Sequence, residues 1–541
     1  MMWKRITQCG RWLERRGRFG GVAMLAGILS FTVGSSGLVR ASDLASGVGP
    51  HASRVGYSSA EGAFGQGAPT MAGLYAGPPL TQSQRTALWK IAQRTWKFFS
   101  SDVNSQTNLP LDNIGFNGAP SQGQYTSPTD IAMYLWSIAA AVQLHLISYP
   151  SGEHLAAGAL DAVNHLRKWH GFLLSWYDTN NGIPIQGPGQ GPVTSLKGQF
   201  ISTVDNGWYA SSLVIVRNAF PSLYAKATAL LQAMNFGIFY DAGNQATSIT
   251  AGQMYGGYYA DQGPAAFDYG NLNTDPRIAA YMGIGTGTLP STVWWRTWRT
   301  FPASFTWQTQ TPVGSTVTYL DPKTHQPYSV FEGHYSYRGI TYVPSWGGSA
   351  FEALMAPLVV PEATWGTHNF GLNDLNYAEA SVLYATRHLH YPVWGLSPAS
   401  TPGTSGGYTA YGAYPLGSGG SANAYSQQAV TPYASFLALP FLPQQAYQNI
   451  VKLRALYPVY GPYGFYDAVN PLTGTVAPRY LVLDQGMIMA AIDDALMRGG
   501  LQRYFSRDGV GRRVKPYLET EQFSIQPIQG MDLHGYKALG H

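Results

Sequence analysis

Five carboxylic acids stand where the chain could carry out acid–base chemistry. Four open apolar segments and one follows a Gly- and Tyr-rich loop; they are Asp130, Asp205, Glu352, Asp484 and Asp467. Two carboxyl groups that flank one glycosidic bond can cleave it, one acting as the acid and the other as a base or nucleophile. If the five acids meet in one cleft, they favour hydrolysis of a polysaccharide.

A structural role is the alternative for each acid taken alone. Acids in a first helical turn commonly cap free N–H groups and complement the helix dipole. Clustered carboxylates instead raise one another's pKa, an arrangement that costs stability and is found mostly where acid–base work is done. The two interpretations differ in whether the acids share one cavity.

Aromatic side chains near these acids are candidates for stacking on sugar rings. Tyr and Trp combine a flat apolar face with a polar edge, which matches the C–H faces and hydroxyl rims of a pyranose. The predicted substrate-binding aromatics are Trp208, Trp346, Trp394, Tyr408 and Tyr466. Arg277 follows Asp275-Pro276 and is a further candidate because it could pair with a cleft acid, or serve in an ion pair alone.

Other chemistries lack a motif. Histidines such as His334 and His368 are scattered without HExxH or paired spacing, so we predict neither a metal site nor a cofactor. The Gly-rich stretch 403–420 lacks the strand–loop–helix setting and the lysine of a phosphate loop. Gly403-Thr404-Ser405-Gly406-Gly407 has the GxSxG spacing, but it belongs to the same Gly-rich stretch and lacks the strand–turn–helix setting of a nucleophile elbow.

Helices of two kinds must position the acids. Amphipathic helices with mixed charge are predicted at 84–100, 151–169, 221–235, 290–299, 373–388 and 444–456. Helices that are apolar nearly all round, and open with a small or polar cap, are predicted at 127–147, 203–218, 275–284, 347–358, 430–439 and 482–497. The two kinds alternate six times along the chain.

This alternation predicts an all-α fold, an (α/α)6 toroid in which six exposed helices surround six buried ones. The buried helices then run in one direction, so their N-termini meet at one face, and long loops build the surface there. Short alternating runs such as Tyr335–Tyr342 predict small β-hairpins in these loops. All five acids should therefore face one mouth.

The N-terminal region has the features of a secretory signal peptide. Residues 1–41 begin with basic residues, continue with an uncharged stretch from Phe19 to Val39, and end with a small residue at Ala41. Arg15-Arg16 leaves a twin-arginine signal open, and an uncleaved anchor is the alternative to cleavage. We expect a periplasmic or extracellular protein with a signal peptide at 1–41, a flexible lead-in at 42–80, the toroid at 81–525 and a C-terminal tail at 526–541.

The charge balance changes once the signal is set aside. The chain has 33 Lys and Arg against 28 Asp and Glu, and residues 1–41 hold 7 of these bases and 1 of these acids. The remaining 26 bases and 27 acids give a net charge of −1, so nucleic acid is not an expected partner. The only cysteine, Cys9, lies in the signal, and no disulfide or stable membrane insertion is expected after its removal.

Several segments together resemble the bacterial glucoamylase-like (α/α)6 domain, a group that includes endo-β-1,2-glucanases and the C-terminal domain of cyclic β-1,2-glucan synthases. The similarity spans roughly 85–525. The segments that carry it are Ser127-Pro128-Thr129-Asp130-Ile131, Gly171-Phe172, Ser175-Trp176-Tyr177-Asp178, Ser202-Thr203-Val204-Asp205-Asn206-Gly207, Gly348-Ser349-Ala350-Phe351-Glu352-Ala353-Leu354-Met355, Tyr463-Gly464-Phe465-Tyr466-Asp467-Ala468 and Leu483-Asp484-Gln485-Gly486.

The resemblance implies an acidic pocket that cleaves or transfers β-glucosidic bonds, with Asp467 at a position that looks catalytic in relatives. One segment departs from the family. Synthase-type relatives carry a Glu after Trp-Gly-Ile-Ser, whereas Trp394-Gly395-Leu396-Ser397 is followed here by Pro398-Ala399. The linkage and the identity of the acid therefore stay open.

Our first hypothesis is a secreted glycoside hydrolase acting on a β-glucan or a related exopolysaccharide. In it, Asp467 is the base or nucleophile, Asp205 or Glu352 is the general acid, and Asp130 and Asp484 orient water, sugar hydroxyls or the catalytic pair. The alternatives are a polysaccharide-binding or secretion accessory protein on the same scaffold, and a transglycosylase. The sequence makes no prediction about the oligomeric state.

Overall fold

The computed structural model describes residues 73–115, 123–404 and 407–536, so the predicted signal peptide and most of the lead-in lie outside the described residues. The described chain is rich in helices and carries small antiparallel sheets. Its α-helices are α1 (Gln82–Asp102), α2 (Pro128–Gln143), α3 (Tyr149–His165), α4 (Thr203–Ala219), α5 (Tyr224–Gln232), α6 (Arg277–Thr286), α7 (Thr292–Arg296), α8 (Ala350–Leu354), α9 (Glu362–Trp365), α10 (Phe370–Leu383), α11 (Tyr433–Leu437), α12 (Pro443–Leu456), α13 (Val482–Met497), α14 (Gly500–Arg507) and α15 (Gly509–Thr520).

All twelve predicted helices are present, some of them shorter than expected. The segment 347–358 forms α8 and then a separate 3-10 turn at Ala356–Leu358, where Pro357 lacks the N–H that would continue an α-helix. Helix α7 ends at Arg296 because the Trp298 N–H donates to the Gly270 carbonyl instead. The apolar segments that were predicted to be inner helices are almost entirely buried.

Three helices were not predicted. Helix α9 has only four residues, and α14 and α15 lie in a Gly- and Arg-rich stretch beyond the last of the predicted alternating helices. Helix α15 even contains Pro516. Asp508 caps the start of this helix, since its side chain accepts from the Val510 N–H at 2.8 Å. Further along the helix, Val514 and Leu518 are buried.

The six apolar helices pack against one another in sequence. Helix α13 contacts α2, α2 contacts α4, α4 contacts α6, and on the other side α8 contacts α11 and α11 contacts α13. Between α6 and α8, the guanidinium of Arg277 donates to the carbonyls of Glu352 (3.1 Å) and Ala353 (2.6 Å). The amphipathic helices lie outside them, with α1 against α13, α3 against α2, α5 against α4, α10 against α8, and α12 against α11.

Short strands form small antiparallel sheets in the loops that connect the helices. The predicted hairpin is confirmed, because Tyr335 of one strand pairs with Tyr342 of the next. The strands are β1 (Tyr75–Ala76), β2 (Asn113–Gly115), β3 (Tyr125–Thr126), β4 (Lys168–Trp169), β5 (Phe172–Leu173), β6 (Tyr177–Asp178), β7 (Phe200–Ser202), β8 (Gly257–Tyr259), β9 (Gly263–Pro264), β10 (Val313–Leu320), β11 (Pro327–Tyr337), β12 (Ile340–Tyr342), β13 (Ala399–Ser400), β14 (Tyr408–Thr409), β15 (Tyr460–Gly461), β16 (Gly464–Phe465), β17 (Ala468–Val469), β18 (Val476–Ala477), β19 (Arg479–Leu481) and β20 (Leu533–His534).

The first and last described segments are paired with each other. Strand β1 is antiparallel to β20, and the ring of Tyr75 stacks on that of His534 at 4.7 Å. Residues 73–80 were predicted to be the end of a flexible lead-in, and here they are instead packed, because Leu74 and Leu80 are buried in the core. The predicted tail likewise contributes β20. In the described ranges we find no helix long and apolar enough to cross a membrane.

Candidate active site

A cavity of about 120 Å³ lies where α2, α4 and α8 begin. Five carboxylic acids line it, and they come from five separate segments of the chain: Asp112, Asp130, Asp205, Asp275 and Glu352. The remaining lining side chains are Ser127, Thr129, Trp176, Val204, Trp208, Phe351, Pro398, Ser400, Tyr408, Arg479, Leu481 and Leu483. Three of the five predicted acids therefore meet in one cavity, together with two acids that were not predicted.

Asp130 lies in the cavity wall and also caps its own helix. Its Oδ2 accepts from the backbone N–H and the hydroxyl of Ser127, both at 2.8 Å, and Ser127 in turn accepts from the Asp130 N–H. This reciprocal arrangement is a capping box. Burial, and next the charge of Asp112, hold the pKa of Asp130 well above its usual value, while the Ser127 bonds oppose the shift.

Asp205 is the most accessible of the three predicted acids in the cavity. Its Oδ1 accepts from the Thr129 hydroxyl at 2.8 Å, and its backbone N–H donates to the Ser202 hydroxyl that caps α4. Burial raises the pKa of Asp205, and the hydrogen bonds from Thr129 and Ser202 act in the opposite direction. Both bonds favour the ionised carboxylate.

Glu352 has many hydrogen-bond donors around it. Its Oε2 accepts from the Ser345 hydroxyl at 2.7 Å, from the Gly347 N–H at 2.9 Å and from the Ser349 N–H at 3.3 Å. With Ser349 it forms the capping box of α8. Burial raises the pKa of Glu352, opposed by these bonds. The capping role weighed from the sequence thus holds for Asp130 and Glu352, although both also face the cavity.

Asp275 and Asp112 are the two acids that the sequence analysis missed. Asp275 is buried two residues before α6, and burial and then the carboxylate of Glu352 hold its pKa well above the usual value. Asp112 accepts from the Asn113 amide at 2.6 Å and from the Tyr125 hydroxyl at 2.8 Å. Burial raises the pKa of Asp112, while those two bonds and the charge of Arg479 lower it.

A usable signal existed for Asp275 and not for Asp112. Asp275 directly precedes Pro276, and Asp-Pro is a typical opening of a helix, so Asp275 marked the predicted start of an apolar helix much as Asp130 and Asp205 do. The residue predicted from this segment was instead Arg277, the next charged one. Asp112 lies in a loop before β2, and its place beside the helix starts depends on the pairing of β2 with β19, which nothing local in the sequence specifies.

The five acids form an electrostatic row in which each affects the next. The charge of Asp112 raises the pKa of Asp130, and Asp205 raises it further. In the same way, the charges of Glu352 and Asp205 both raise the pKa of Asp275. The order Asp112, Asp130, Asp205, Asp275, Glu352 follows the order of the segments along the chain and around the packed helices. The pKa values of all five acids are therefore raised, and those of Asp130 and Asp275 are raised most strongly.

Asp467 and Asp484 do not line the cavity. Asp467 is fully buried, and its Oδ2 accepts from the Ser400 N–H at 2.6 Å. Burial and the adjacent carboxylate of Asp467 hold the pKa of Asp484 well above its usual value. The predicted base or nucleophile role of Asp467 therefore has no geometric support, because Ser400, and not Asp467, forms the wall.

Two of the five predicted substrate-binding aromatics, Trp208 and Tyr408, line the cavity. Trp208 is only 1% exposed and packs edge-on against Trp136, so it supports the cavity wall and offers little surface to a ligand. Tyr408 is half-buried and its hydroxyl donates to the Pro398 carbonyl. Trp176, which also lines the cavity, was not among the predicted residues.

The other three predicted aromatics are packed away from the cavity. Trp346 lies against Phe301 and Trp307, and Tyr466 lies against Tyr480. The third, Trp394, is buried, with its backbone N–H and carbonyl bonded to the Asn449 side chain. All three side chains are buried and pack beneath loops. Their position next to glycines in the sequence does not show whether an aromatic ring is buried in this way or is free to contact a sugar.

Arg277 is not placed to touch a ligand. Its guanidinium is fully buried, forms an ion pair with Glu362 at 2.9 Å and lies over the Phe370 ring. The cation that lines the cavity is Arg479 of β19, whose charge acts on Asp112 and Asp467. Among the residues that the structure describes, no group of three or more His, Cys, Asp or Glu is arranged to hold a metal ion.

Comparisons with known proteins bear on this site. Residues 278–508 match the family described as "Putative glucoamylase", and residues 90–262 match a family described only as a protein of unknown function. Among curated proteins, the cyclic β-(1,2)-glucan synthase NdvB of Rhizobium meliloti (strain 1021) is 22% identical over 587 aligned positions. That alignment covers 82% of this chain but only 18% of NdvB, so this chain spans about a fifth of that relative.

Solved structures show the same fold. The endo-β-1,2-glucanase from Chitinophaga pinensis, in complex with sophorotriose and glucose, matches with a TM-score of 0.59 and 16% identity over 81% of this chain and 99% of that one. A protein from Bacteroides caccae ATCC 43185, described as a "putative glucoamylase", matches with a TM-score of 0.62 and 16% identity over 81% of this chain and 100% of that one. The resemblance to bacterial glucoamylase-like domains is confirmed.

Proposed function

We propose that this protein is a secreted glycoside hydrolase that cleaves a β-glucan, with its active site in the acid-lined cavity. The observation that carries the proposal is the row of five carboxyl groups, brought by five segments to one cavity that also contains aromatic side chains. Carboxylates repel one another, so a row of them in a buried site costs stability. Groups with pKa values raised in this way are found mostly at functional sites. Glycosidic bond cleavage uses such a combination of a protonated and an ionised carboxyl group.

The proposed scaffold is an (α/α)6 toroid. The order in which the six inner helices pack supports a closed ring of helices. Between α6 and α8, hydrogen bonds from Arg277 to two carbonyls of α8 complete the ring. The N-terminal ends of α2, α4 and α8 lie at the cavity, as the shared direction of inner helices requires. Export and a periplasmic or extracellular location remain part of the proposal, and they rest on the signal-like residues 1–41.

We assign the general acid to Asp275 and the base to Asp205. The pKa of Asp275 is held well above its usual value, so it keeps its proton to a higher pH than an ordinary Asp and can give it to the leaving oxygen. The pKa of Asp205 is raised less strongly than that of Asp275, Thr129 donates to its carboxylate, and Asp205 is accessible to a water or a sugar carbon. Asp130 and Glu352 position the row, since their oxygens are held in capping boxes.

The substrate class follows from the cavity walls and from the relatives. Apart from the acids and Arg479, the lining is aromatic, aliphatic or hydroxylic, which suits an uncharged sugar. Endo-β-1,2-glucanases share the fold, and this supports a β-1,2-linked glucan as the first substrate to test.

The test is release of reducing ends from linear β-1,2-glucan, cyclic β-1,2-glucan, laminarin and cello-oligosaccharides. The wild-type protein is expected to act on at least one of them. Replacing Asp275 by Asn should lower kcat/KM by about 10²- to 10⁴-fold while binding persists, because the variant cannot donate the proton. Asp493→Asn is the matched control, since Asp493 is also a buried acid with a raised pKa but lies near the far end of α13, and it should leave activity unchanged.

Two outcomes would redirect the assignment. Binding of glucans without any release would favour the accessory-protein alternative. Formation of longer products at high substrate concentration would favour transfer to a second sugar, an activity that the similarity to a glucan synthase also supports.

A further inference from the structure

One tryptophan differs from all the others that the structure describes. Of the thirteen tryptophans in the described ranges, Trp307 alone is exposed, with 42% of its surface accessible. The remaining twelve are buried or half-buried, including the three that sequence analysis proposed for sugar stacking. A single exposed apolar side chain carries little meaning, whereas one that belongs to a contiguous group of aromatic rings can mark a binding surface.

Trp307 is held by a group of packed rings, here called the aromatic shelf and defined as Phe301, Phe305, Trp307 and Trp346. Its ring centroid lies 5.1 Å from that of Phe301, 5.6 Å from that of Phe305 and 6.1 Å from that of Trp346. Phe301 and Trp346 are buried, so they form the base on which the exposed ring rests. The orientation of Trp307 is therefore fixed by packing and requires little ordering when a ligand binds.

The shelf is connected to the cavity through Glu352. Trp346 precedes Gly347, whose N–H donates to both oxygens of Glu352, at 3.2 and 2.9 Å. The Trp346 carbonyl also accepts from the Gly419 N–H at 2.9 Å, which holds the loop that carries it. The shelf and one end of the acidic row thus share a short, hydrogen-bonded stretch of backbone.

A second connection leads to Asp275. Trp298 packs edge-on against Phe301 and Phe305, and its carbonyl accepts from the Leu272 N–H at 2.8 Å. Leu272 lies three residues before Asp275. The shelf is therefore attached to the two segments that carry Asp275 and Glu352, the last two acids of the row.

The chemistry of the shelf fits an uncharged sugar. Residues 301–312 contain no Asp, Glu, Lys, Arg or His. The Gln308 side-chain amide donates to the Pro302 carbonyl within the segment, and that of Gln310 donates to the Pro415 carbonyl of a neighbouring loop, which keeps the segment ordered. The exposed face of Trp307 offers an apolar plane for the C–H face of a pyranose without a charge nearby in its own segment.

We propose that Trp307 is a stacking subsite outside the cavity for an uncharged glucan strand that leaves the cavity past Asp275 and Glu352. The inference rests on the proposed function, since it assigns the strand that passes through the same cavity. The proposed subsite adds two statements to the proposed function. The glucan strand leaves the cavity on the side of Asp275 and Glu352, and its affinity depends on chain length. Because Trp307 is not among the residues that line the cavity, a short ligand held at the acids is expected to depend on it less than a longer strand does.

The test compares binding of sophorotriose and of a long linear β-1,2-glucan by calorimetry, using the full chain and no activity readout. Trp307→Ala should weaken binding of the long glucan by about three- to tenfold, the loss of one ring contact, and leave sophorotriose unchanged. Trp307→Phe should recover part of the affinity. Tyr149→Ala is the matched control, because Tyr149 is an equally exposed aromatic (44%) at the start of outer helix α3, where an inner helix has just ended.

Equal affinities of wild type and Trp307→Ala for the long glucan would overturn the proposal, as would an equal loss in Tyr149→Ala or the absence of any glucan binding by the wild type. Reducing-end release, measured in parallel, tests only the proposed function. Chain-length-dependent binding that requires Trp307, in a protein that hydrolyses nothing, would support the subsite and contradict the hydrolase.

Discussion

Thr129 of α2 donates its hydroxyl to the carboxylate of Asp205 in α4 at 2.8 Å, so two neighbouring inner helices share a hydrogen bond at the cavity wall. The bond favours the ionised form of Asp205 and opposes the rise in pKa that burial causes. In the proposed mechanism it keeps the base ready at neutral pH.

Thr129→Val tests that relationship. Without the donor, the pKa of Asp205 rises, so the acidic limb of the kcat/KM profile should move to higher pH by about 0.5–1. The profile is measured by reducing-end release between pH 4 and 9. Thr126→Val is the control, since the buried hydroxyl of Thr126 has no hydrogen-bond partner among the described residues, and its limb should stay in place.

Glu352→Gln is expected to act on the other limb. The negative charge of Glu352 raises the pKa of Asp275, so a neutral side chain lowers it and the acid loses its proton at lower pH. The alkaline limb of kcat/KM should therefore shift downward. The fold should persist because Gln is accepted at this position of a capping box, and a thermal melt checks that; an unshifted alkaline limb would contradict the role of Asp275.

Much of this arrangement could be predicted from the sequence because it is local. An apolar run follows each of three serines, and an acid stands three residues after each one. The structure shows all three as helix caps: Ser127, Ser202 and Ser349. Helix periodicity located twelve helices for the same reason. The shared direction of inner helices then placed Asp130, Asp205 and Glu352 at one cavity without any long-range information.

What could not be predicted depends on contacts between distant segments. Asp112 reaches the cavity through the pairing of β2 with β19, and Arg479 reaches it on the partner strand. Asp467 was expected at the surface of the cleft, but the Ser400 strand covers it. Whether an aromatic side chain is exposed is decided in the same way, which is why Trp346 was predicted to bind sugar and Trp307 was overlooked.

Asp484→Asn should make stability less sensitive to pH. The pKa of Asp484 is raised in the folded state, so the protonated form favours folding: the stabilisation is complete below the unfolded pKa of about 4 and is lost as pH rises through the folded value. Asn stays neutral. In urea titrations, the variant should match the wild type near pH 4 and exceed it at pH 8; a deficit at pH 8 would contradict the raised pKa of Asp484.

Asp508→Asn should destabilise the fold by about 3 kcal/mol, because it leaves the largely buried guanidinium of Arg217 without its carboxylate. The pKa of Asp508 is lowered by Arg217 against the opposing effect of burial, so this stabilisation is present above about pH 4 and is lost at lower pH. Urea unfolding at pH 7 measures the change. The exposed pair of Lys226 and Asp161 provides the control, and Asp161→Asn should alter the midpoint little.

The pairing of β1 with β20 has a practical consequence for engineering. Because Tyr75 and His534 stack directly on each other, a short linker between residues 73 and 536 would need to span only a small gap. A circular permutant reopened in an exposed loop, such as the turn around Thr473, should therefore keep the cavity intact. A fusion partner attached at either side of this pairing would project from the same patch of surface.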